Sequence, residues 1–301
     1  MRGSVISCDT ILGQMSYFIS RYVPLTRVRL AFAWLLSHVV RLVWRKPKYV
    51  IQRSGINYEV DLSEGIDLSL FVFGGFQTHL FKSKAIPPIS EDAVVIDVGA
   101  NVGVMTLQYA ACLTGGHVYA VEPTQYALGK LQRNISLNPS LAGRITVEQM
   151  FLADKENEPP PPGVYASWKV SGAVSGEKHA LHGGSLCSSA GAGTTTLDQF
   201  CRSHGLKRLD FIKIDTDGNE ISVLGGAQEA IRQFRPAMIV ELSLYALREH
   251  GASIDDFFRL LPGYIFRELK TGKAITVKSA ARIVPALASI DCVAIPEKRI
   301  N

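Results

Sequence analysis

The chain contains the run Val94-Val-Ile-Asp-Val-Gly-Ala-Asn-Val-Gly103, in which an apolar, β-branched segment leads directly into a turn of small residues. The pattern over 94–98 predicts a strand buried on both faces, and residues 104–112 predict the helix that follows the turn. Such a turn lets backbone N–H groups approach a ligand closely at the helix N-terminus. Asn101 fits it because, after glycine, asparagine best tolerates a positive φ.

An acidic residue follows the next predicted strand. Residues 117–121 form that strand, and Glu122 ends it, nineteen residues beyond Gly103. A carboxylate at this place is suited to bind the two hydroxyls of a ribose. Gly99 and Gly103 alone would equally fit a tight turn that binds nothing. Asp97 before them and Glu122 after them favour a nucleoside site.

Asp97 also discriminates between nucleoside cofactors. In a dinucleotide site the turn holds a pyrophosphate, which an acid just before the first glycine would repel. Asp97 suits a cofactor that lacks phosphate and carries positive charge, and S-adenosylmethionine has both a sulfonium and an ammonium group. A nicotinamide-dependent oxidoreductase is the rival enzyme class. The predicted cofactor-binding residues are Asp97, Gly99, Asn101, Gly103, Glu122 and, at the adenine, Asp154.

Acidic residues also follow the later strands. Asp215 ends the fourth predicted strand, and ligands of a parallel sheet bind at the carboxyl ends of its strands. Lys213 lies on the same face two residues earlier, and Glu241 ends the neighbouring strand. Clustered carboxylates raise one another's pKa and are suited to deprotonate a hydroxyl. The predicted catalytic residues are Asp215 as the preferred base, Lys213, Asp217, Glu220 and Glu241.

Structural roles compete with this interpretation. Asp217 or Glu220 would also serve as a helix cap, and Lys213 with Glu241 would also form a buried ion pair. Several carboxylates are able to hold a divalent cation, although nothing in their spacing requires one. His179 and His182 with Cys187 form only a fragment of a metal site, so a solvated loop is the preferred interpretation there.

The motifs together resemble one methyltransferase family. They include Thr196-Leu-Asp198, Leu209-Asp-Phe-Ile-Lys-Ile-Asp-Thr-Asp-Gly-Asn-Glu220, Val223-Leu-Gly-Gly-Ala227, Arg235-Pro236, Ile239-Val-Glu241, Val121-Glu-Pro123 and Asn134-Ile-Ser-Leu-Asn138. With the turn at 97–103 they resemble the FkbM-type methyltransferases over roughly residues 50–296. The departures are Asp217, where the family usually has glutamate, and a longer Gly- and Ser-rich segment before Thr194. The resemblance implies methylation of a hydroxyl on a sugar or another polyhydroxylated metabolite.

Strands and helices alternate along the chain, which predicts an α/β fold with a doubly wound, mostly parallel sheet. Strands are expected at 94–98, 117–121, 144–152, 210–215, 237–242, 264–269 and 291–295. The last two lie too close for a full crossover helix, so an antiparallel hairpin at the edge of the sheet is expected. The resemblance also implies this seven-stranded, Rossmann-like methyltransferase sheet. Strands over 49–52 and 58–62 predict a β-hairpin before it.

Three segments are expected. Residues 1–48 are helical, basic and apolar, residues 49–90 form the hairpin and a lead-in that covers the site, and residues 91–301 form the S-adenosylmethionine-binding domain. Within that domain, the loop over 155–195 is either a lid or disordered. The five cysteines show no paired spacing, which favours a reducing compartment and a cytoplasmic location.

The first segment carries most of the net charge of +5. The rest of the chain is close to neutral, so no nucleic-acid partner is expected. The apolar residues 30–44 would extend roughly 22 Å as a helix, short of the ~30 Å hydrocarbon core of a bilayer. Residues 11–44 are therefore expected to pack on the domain, with peripheral membrane contact as the alternative. A non-catalytic binding module held at a membrane is the rival function outside the enzymes.

Overall fold

The computed structural model describes residues 48–74, 83–156, 158–170, 178–181 and 183–297. It also describes Leu35, His38, Val39, Val40, Leu42 and Lys46. The helix expected over 11–44 lies largely outside the described residues. Among those described, no helix combines the length and the apolar character that crossing a membrane requires.

The described chain begins with the predicted hairpin, which is confirmed. Strands β1 (Lys48–Arg53) and β2 (Ile56–Asp61) are antiparallel and are followed by helix α1 (Gly65–Phe73). Alternate residues of β2 are buried, among them Tyr58 and Val60. These side chains pack with Leu68 of α1 and Leu107 of the following domain. The hairpin and α1 are therefore attached to the domain by an apolar cluster.

The remaining elements follow in an alternating order. They are β3 (Val94–Val98), α2 (Val104–Cys112), β4 (His117–Val121), α3 (Gln125–Ser136), α4 (Pro139–Ala142), β5 (Ile145–Glu148), β6 (Met150–Leu152), β7 (Gly163–Ser167), β8 (Ser185–Ser188), β9 (Gly193–Thr195), α5 (Leu197–Ser203), β10 (Phe211–Ile214), α6 (Glu220–Gly225), α7 (Gln228–Phe234), β11 (Ala237–Ser243), α8 (Leu244–Glu249), α9 (Ile254–Arg259), β12 (Tyr264–Glu268), β13 (Ala274–Ile275), α10 (Val277–Ile283) and β14 (Ser289–Pro296).

The main sheet confirms the predicted fold class. Its eight strands lie in the order β13-β12-β14-β11-β10-β3-β4-β5. Strands β11, β10, β3, β4 and β5 are parallel to one another, while β14 is antiparallel to both β11 and β12. The eighth strand is the two-residue β13, which pairs antiparallel with β12 at the edge. Residues 269–288 also contain helix α10, so β12 and β14 are not joined by a simple hairpin turn.

The strand expected over 144–152 is divided into two. Strand β5 belongs to the main sheet, whereas β6 pairs in parallel with β9. Gln149 lies at the break, and its side-chain Nε2 donates hydrogen bonds to the carbonyl oxygens of Pro123, at 3.3 Å, and Ala190, at 3.2 Å. These two bonds hold the chain where it leaves the main sheet. The periodicity of apolar residues does not predict this break between β5 and β6.

The long loop expected over 155–195 contains strands in its described part. Strands β7 and β8 form an antiparallel pair with Val164 opposite Cys187. Beyond β7, Lys169 makes an isolated antiparallel bridge with Glu64 of the N-terminal segment. The first half of this loop is thus held between β8 and the residues that precede α1.

The register of the sheet brings the predicted site residues together. Lys213 of β10 lies opposite Asp97 of β3 on one side and Ile239 of β11 on the other. Since these strands are parallel, their carboxyl ends meet at one edge of the sheet. Asp215 and Glu241 lie at this edge, where a doubly wound sheet binds its ligands.

Candidate cofactor and active site

The turn after β3 has the backbone that its sequence predicts. Gly99, Asn101 and Gly103 have φ values of 74°, 49° and 85°, so the positive φ expected at Asn101 is confirmed. A Cβ atom at Gly99 would lie 2.0 Å from the carbonyl oxygen of Asp215. Only glycine lets the turn approach the end of β10 so closely.

Glu122 is buried beside this turn, with 3% of its surface exposed. Its carboxylate accepts hydrogen bonds from the backbone N–H of Asn101 at 3.0 Å and from the N–H and hydroxyl of Thr124 at 2.9 and 2.6 Å. Burial raises the pKa of Glu122, and these hydrogen bonds oppose that rise. A carboxylate has about four acceptor positions, so the three bonds leave one for a ribose hydroxyl.

A cleft runs from Glu122 to the carboxyl end of β10. Its lining includes Gly99, Asn101, Val121, Glu122, Met150, Phe151, Leu152, Val164, Tyr165, Ala166, Asp215, Thr216, Asp217, Asn219 and Val223. The side-chain oxygen of Asn101 is buried and has no hydrogen-bond partner among the described residues. An acceptor left in this state indicates a missing donor, and the cleft is where a ligand would supply it.

Lys213 lies beneath the turn, with only 3% of its surface exposed. Its Nζ is 3.2 Å from Oδ2 of Asp215 and 3.5 Å from Oδ1 of Asp97, and it donates to the carbonyl oxygen of Gly99 at 3.4 Å. Burial alone would lower the pKa of Lys213, but the charges of Asp215 and Asp97 raise it above its usual range. The lysine therefore stays charged and holds the two strand ends together.

Asp97 is fully buried, in contrast to the exposure expected of a direct cofactor ligand. The hydroxyl of Thr106 donates to its Oδ2 at 2.6 Å, and Lys213 pairs with its Oδ1. Asp97 is absent from the described lining of the cleft. The structure therefore places its charge behind the turn, next to Lys213.

The turn after β10 separates the roles of Asp217 and Glu220. The Glu220 carboxylate accepts from the backbone N–H and hydroxyl of Thr216, at 2.8 and 2.9 Å, and from the N–H of Gly218 at 3.1 Å. It therefore holds this turn closed. Asp217 has a φ of 53° and lines the cleft. Burial, followed by the charges of Asp215 and Glu220, raises the pKa of Asp217 well above its usual range.

Glu241 completes the group of carboxylates at the ends of β10 and β11, here called the acidic edge (Asp215, Asp217, Glu220 and Glu241). Its Oε1 accepts a hydrogen bond from the Ser289 hydroxyl, and the residue lies opposite Asp291 across the β11–β14 pair. Burial, followed by the charges of Asp215 and Asp217, raises the pKa of Glu241 well above its usual range. The acidic edge thus contains carboxylates that differ in their readiness to hold a proton.

Replacing Glu241 with glutamine should stabilise the protein increasingly as the pH rises. Unfolded glutamate ionises near pH 4.3, whereas the folded protein keeps Glu241 protonated to higher pH. The folded state therefore binds the extra proton, and stability falls as the pH rises from the unfolded pKa through the folded one. We expect the melting temperature of Glu241→Gln minus that of wild type to increase between about pH 5 and about pH 8.

The control for this measurement is Glu229→Gln, which changes an exposed glutamate on α7. Its difference from wild type should stay nearly constant over the same pH range. A Glu241→Gln difference that is equally flat would show that Glu241 is ionised in the folded protein at ordinary pH.

Asp154 lies apart from the cleft. It is exposed, and its backbone N–H donates to the Ser222 hydroxyl at 3.0 Å, while that hydroxyl donates to Oδ1 of Asp154 at 3.3 Å. The described cleft lining near the predicted adenine position includes Phe151 and Leu152 instead. The structure therefore brings the other predicted cofactor residues to the turn or beside it, but not Asp154.

Three aromatic rings pack beside the acidic edge, and the sequence analysis named only His179 among them, as part of a solvated loop. The His179 ring lies 5.1 Å from that of Tyr165 and 6.0 Å from that of Tyr245. His179 Nε2 also lies 3.4 Å from a carboxylate oxygen of Glu249. Burial, then the charges of Glu241 and Asp217, raises the pKa of Tyr245 above its usual range. No local spacing connects these rings, because they come from β7, the loop before β8, and α8.

In the described part of the chain, no three His, Cys, Asp or Glu side chains are arranged to hold a metal ion. His179 packs in the aromatic group described above, and His182 lies outside the described residues.

Comparison with known proteins identifies the family. The family model described as "Methyltransferase FkbM domain" matches residues 97–268, more than half of the chain. The chain belongs to the FkbM methyltransferase family. The match begins at Asp97 and includes every residue predicted for the cofactor and the acidic edge. Membership in this family implies that the cofactor is S-adenosylmethionine.

Solved structures with a similar fold are distant in sequence. Methyltransferase FkbM from Methylobacillus flagellatus KT is 18% identical with a TM-score of 0.44, and the alignment covers 70% of this chain and 45% of that one. TYW2 from P. horikoshii in complex with MeSAdo is 15% identical, with a TM-score of 0.39 and coverages of 83% and 72%. Precorrin-6y C5,15-methyltransferase from Geobacter metallireducens GS-15 is 12% identical, with a TM-score of 0.37 and coverages of 72% and 86%.

This FkbM family member spans less than half the length of the Methylobacillus flagellatus protein. No curated protein matches its sequence. The low identities and TM-scores of the solved structures support no transfer of a substrate or of a residue's role. Those assignments depend on the geometry of the cleft.

Proposed function

We propose that the protein transfers the methyl group of S-adenosylmethionine to a hydroxyl of a sugar or another polyhydroxylated metabolite. Membership in the FkbM methyltransferase family supports the class of reaction. The choice of cofactor and acceptor is supported by one observation. A single cleft is bordered at one end by Glu122 and at the other by Asp215 and Asp217. A nucleoside-binding carboxylate and a group of proton acceptors thus face the same space.

The residues of the cleft fit S-adenosylmethionine, which supplies a methyl group activated by its positive sulfur. Glu122 would accept from the ribose, and the buried oxygen of Asn101 would accept from an N–H or O–H donor of the cofactor. Phe151 and Leu152 offer apolar contact to the adenine. The absence of a side chain at Gly99 lets the cofactor approach the backbone.

Asp215 is the residue best placed to act as the base. A neutral alcohol is a weak nucleophile, so it must be oriented and lose its proton as it attacks the methyl carbon. Asp215 lines the cleft, with 24% of its side chain exposed, and Lys213 holds it from below. Asp215 would accept the proton of the acceptor hydroxyl, and the bound cofactor would supply the methyl group that the hydroxyl oxygen takes up.

The other carboxylates of the edge have supporting roles in this proposal. Asp217 lines the cleft and has a raised pKa, so it is suited to hydrogen-bond a further hydroxyl of the acceptor. Glu241 is absent from the described lining and contributes its charge near Asp215 and Asp217. Glu220 holds the turn that carries Asp217. A second hydrogen-bonding carboxylate beside the base favours an acceptor with more than one hydroxyl.

Calorimetric titration tests the cofactor assignment. S-adenosylmethionine should bind to the wild-type protein and NAD should not. Glu122→Ala should weaken S-adenosylmethionine binding at least ~10-fold, since it removes hydrogen bonds to a charged acceptor. Asp154→Asn is the matched control, because Asp154 lies outside the cleft, and its affinity should equal that of wild type. Equal or tighter binding of NAD would favour an oxidoreductase.

Methyl transfer is tested with cofactor labelled in its methyl group. The wild-type protein is incubated with extracts of polar metabolites and glycolipids, and labelled products are separated and identified. A methyl ether on a polyhydroxylated compound is the expected product. A methylated amine would contradict the proposed acceptor group, and the absence of any product would favour a binding module.

A further inference from the structure

The outer wall of the cleft is formed by residues 163–170, here called the strap. Val164, Tyr165 and Ala166 of the strap line the cleft. The carbonyl oxygen of Ala166 accepts a hydrogen bond at 3.4 Å from Nδ2 of Asn101, in the turn after β3. The strap therefore borders the cleft and contacts the turn after β3.

The strap is fastened by Glu64, which precedes α1. Both Glu64 carboxylate oxygens lie 3.0 Å from the Ser167 hydroxyl, which donates to them, and the Tyr126 hydroxyl donates to Oε1 at 2.7 Å. Only 4% of Glu64 is exposed. A buried carboxylate is costly unless its hydrogen bonds are satisfied, and these donors come from the strap and from α3.

Backbone hydrogen bonds strengthen the same junction. The N–H of Gly65 donates to the carbonyl oxygen of Trp168 at 2.9 Å, and the N–H of Val170 donates to that of Ser63 at 2.8 Å. A Cβ atom at Gly65 would lie 3.2 Å from the Trp168 oxygen, so the two segments are in close contact. The strap is therefore attached to the N-terminal segment as well as to β8.

We propose that Glu64 is a positioning residue for the cofactor, which it never touches. Through Ser167 and Tyr126 it holds the strap over the cleft, and it thereby slows the departure of the bound cofactor. This inference rests on the proposed function, because it requires that the cleft bind S-adenosylmethionine. Glu64 lies 33 residues before the start of the family match and does not line the cleft.

Asp67, three residues after Glu64 and in the first turn of α1, provides a matched control. It is also buried, at 1% exposed, and accepts from Nζ of Lys130 at 2.5 Å and from the N–H of Asp61 at 2.8 Å. Like Glu64, it joins the N-terminal segment to α3. The described hydrogen bonds and ion pairs of Asp67 do not involve the strap.

The test compares the dissociation rate constant of S-adenosylhomocysteine, the demethylated cofactor, in wild type, Glu64→Gln, Ser167→Ala and Asp67→Asn. Glu64→Gln should release it ~10-fold faster, because a neutral amide weakens the bonds from two hydroxyls. Ser167→Ala should show a smaller increase in the same direction. Asp67→Asn should lower the melting temperature yet change the rate less than about twofold.

Hydrogen exchange measured without cofactor gives a second readout. The amide of Val170 should exchange faster in Glu64→Gln than in wild type, and at the wild-type rate in Asp67→Asn. If Glu64→Gln does not fold, Ser167→Ala and Tyr126→Phe replace it, since each removes one hydroxyl and leaves the carboxylate in place.

The two possible failures are distinct. Equal dissociation rates in wild type and in the Glu64 and Ser167 variants would overturn the role of Glu64 while leaving cofactor binding intact. Equal acceleration in Glu64→Gln and Asp67→Asn would also overturn it, since a general loss of stability would then explain both. A wild-type protein that binds no S-adenosylhomocysteine would instead overturn the proposed function.

Discussion

Gly99→Ala should abolish measurable cofactor binding and lower the free energy of unfolding by about 3 kcal/mol or more. The new Cβ atom would lie 2.0 Å from the carbonyl oxygen of Asp215, which is backbone and has no rotamer through which to move away. Alanine is also disfavoured at a φ of 74°. Relief of the clash would move the turn away from β10 and disturb both the cofactor turn and the acidic edge. Calorimetric titration and urea unfolding measure the two effects.

Gly251→Ala separates the clash from the backbone strain. Gly251 has a φ of 68°, close to that of Gly99, but a Cβ atom there would meet nothing within 4 Å. We expect this variant to lose only about 1 kcal/mol and to bind the cofactor like wild type. If the two variants lost the same stability and kept the same affinity, contact between the turn and β10 would be unimportant.

Asp215→Asn should reduce turnover ~10²- to 10⁴-fold, the range typical of a lost general base, while the affinity for S-adenosylmethionine changes little. Folding should survive because Lys213 keeps Asp97 as a partner at 3.5 Å and the Gly99 carbonyl oxygen as an acceptor at 3.4 Å. The measurement is the rate of methyl transfer to the identified acceptor, together with the cofactor dissociation constant and the melting temperature.

Asp154→Asn, an exposed acid outside the cleft, should retain wild-type turnover. A fully active Asp215→Asn variant would remove Asp215 from the mechanism. Loss of turnover together with loss of cofactor binding would give Asp215 a role in holding the cofactor instead.

Local sequence was sufficient to predict strand bounds and backbone conformation where these depend on a single segment of the chain. The strands over 94–98 and 117–121 occur with the predicted bounds, because continuous β-branched and apolar runs specify strands buried on both faces. The positive φ of Asn101 also followed from residue type. Local sequence did not predict the partners of Lys213. The ion pair considered from the sequence was with Glu241, whereas Lys213 Nζ lies 3.5 Å from Asp97 and 3.2 Å from Asp215.

Features that depend on distant segments were not predictable in this way. The division of the strand over 144–152 depends on Gln149, whose hydrogen-bond partners lie 26 residues before it and 41 after it. Glu220 was predicted among the catalytic residues, and its contacts with the turn over 216–218 are visible only with side chains in place. The aromatic group around His179 likewise joins three separate elements. The hydrophobic periodicity and the secondary-structure propensity of a segment contain no information on its contacts with distant segments.

The insertion of β14 between β11 and β12 has a consequence for the order in which the sheet forms. In the main sheet β12 pairs only with β13 and β14, so it reaches the other strands through a strand that follows it in the chain. Until residues 289–296 are in place, β11 is an open edge, and such edges pair readily with other chains. Completion of the sheet therefore waits for non-local contacts, which slow folding and prolong the exposure of aggregation-prone surface during synthesis.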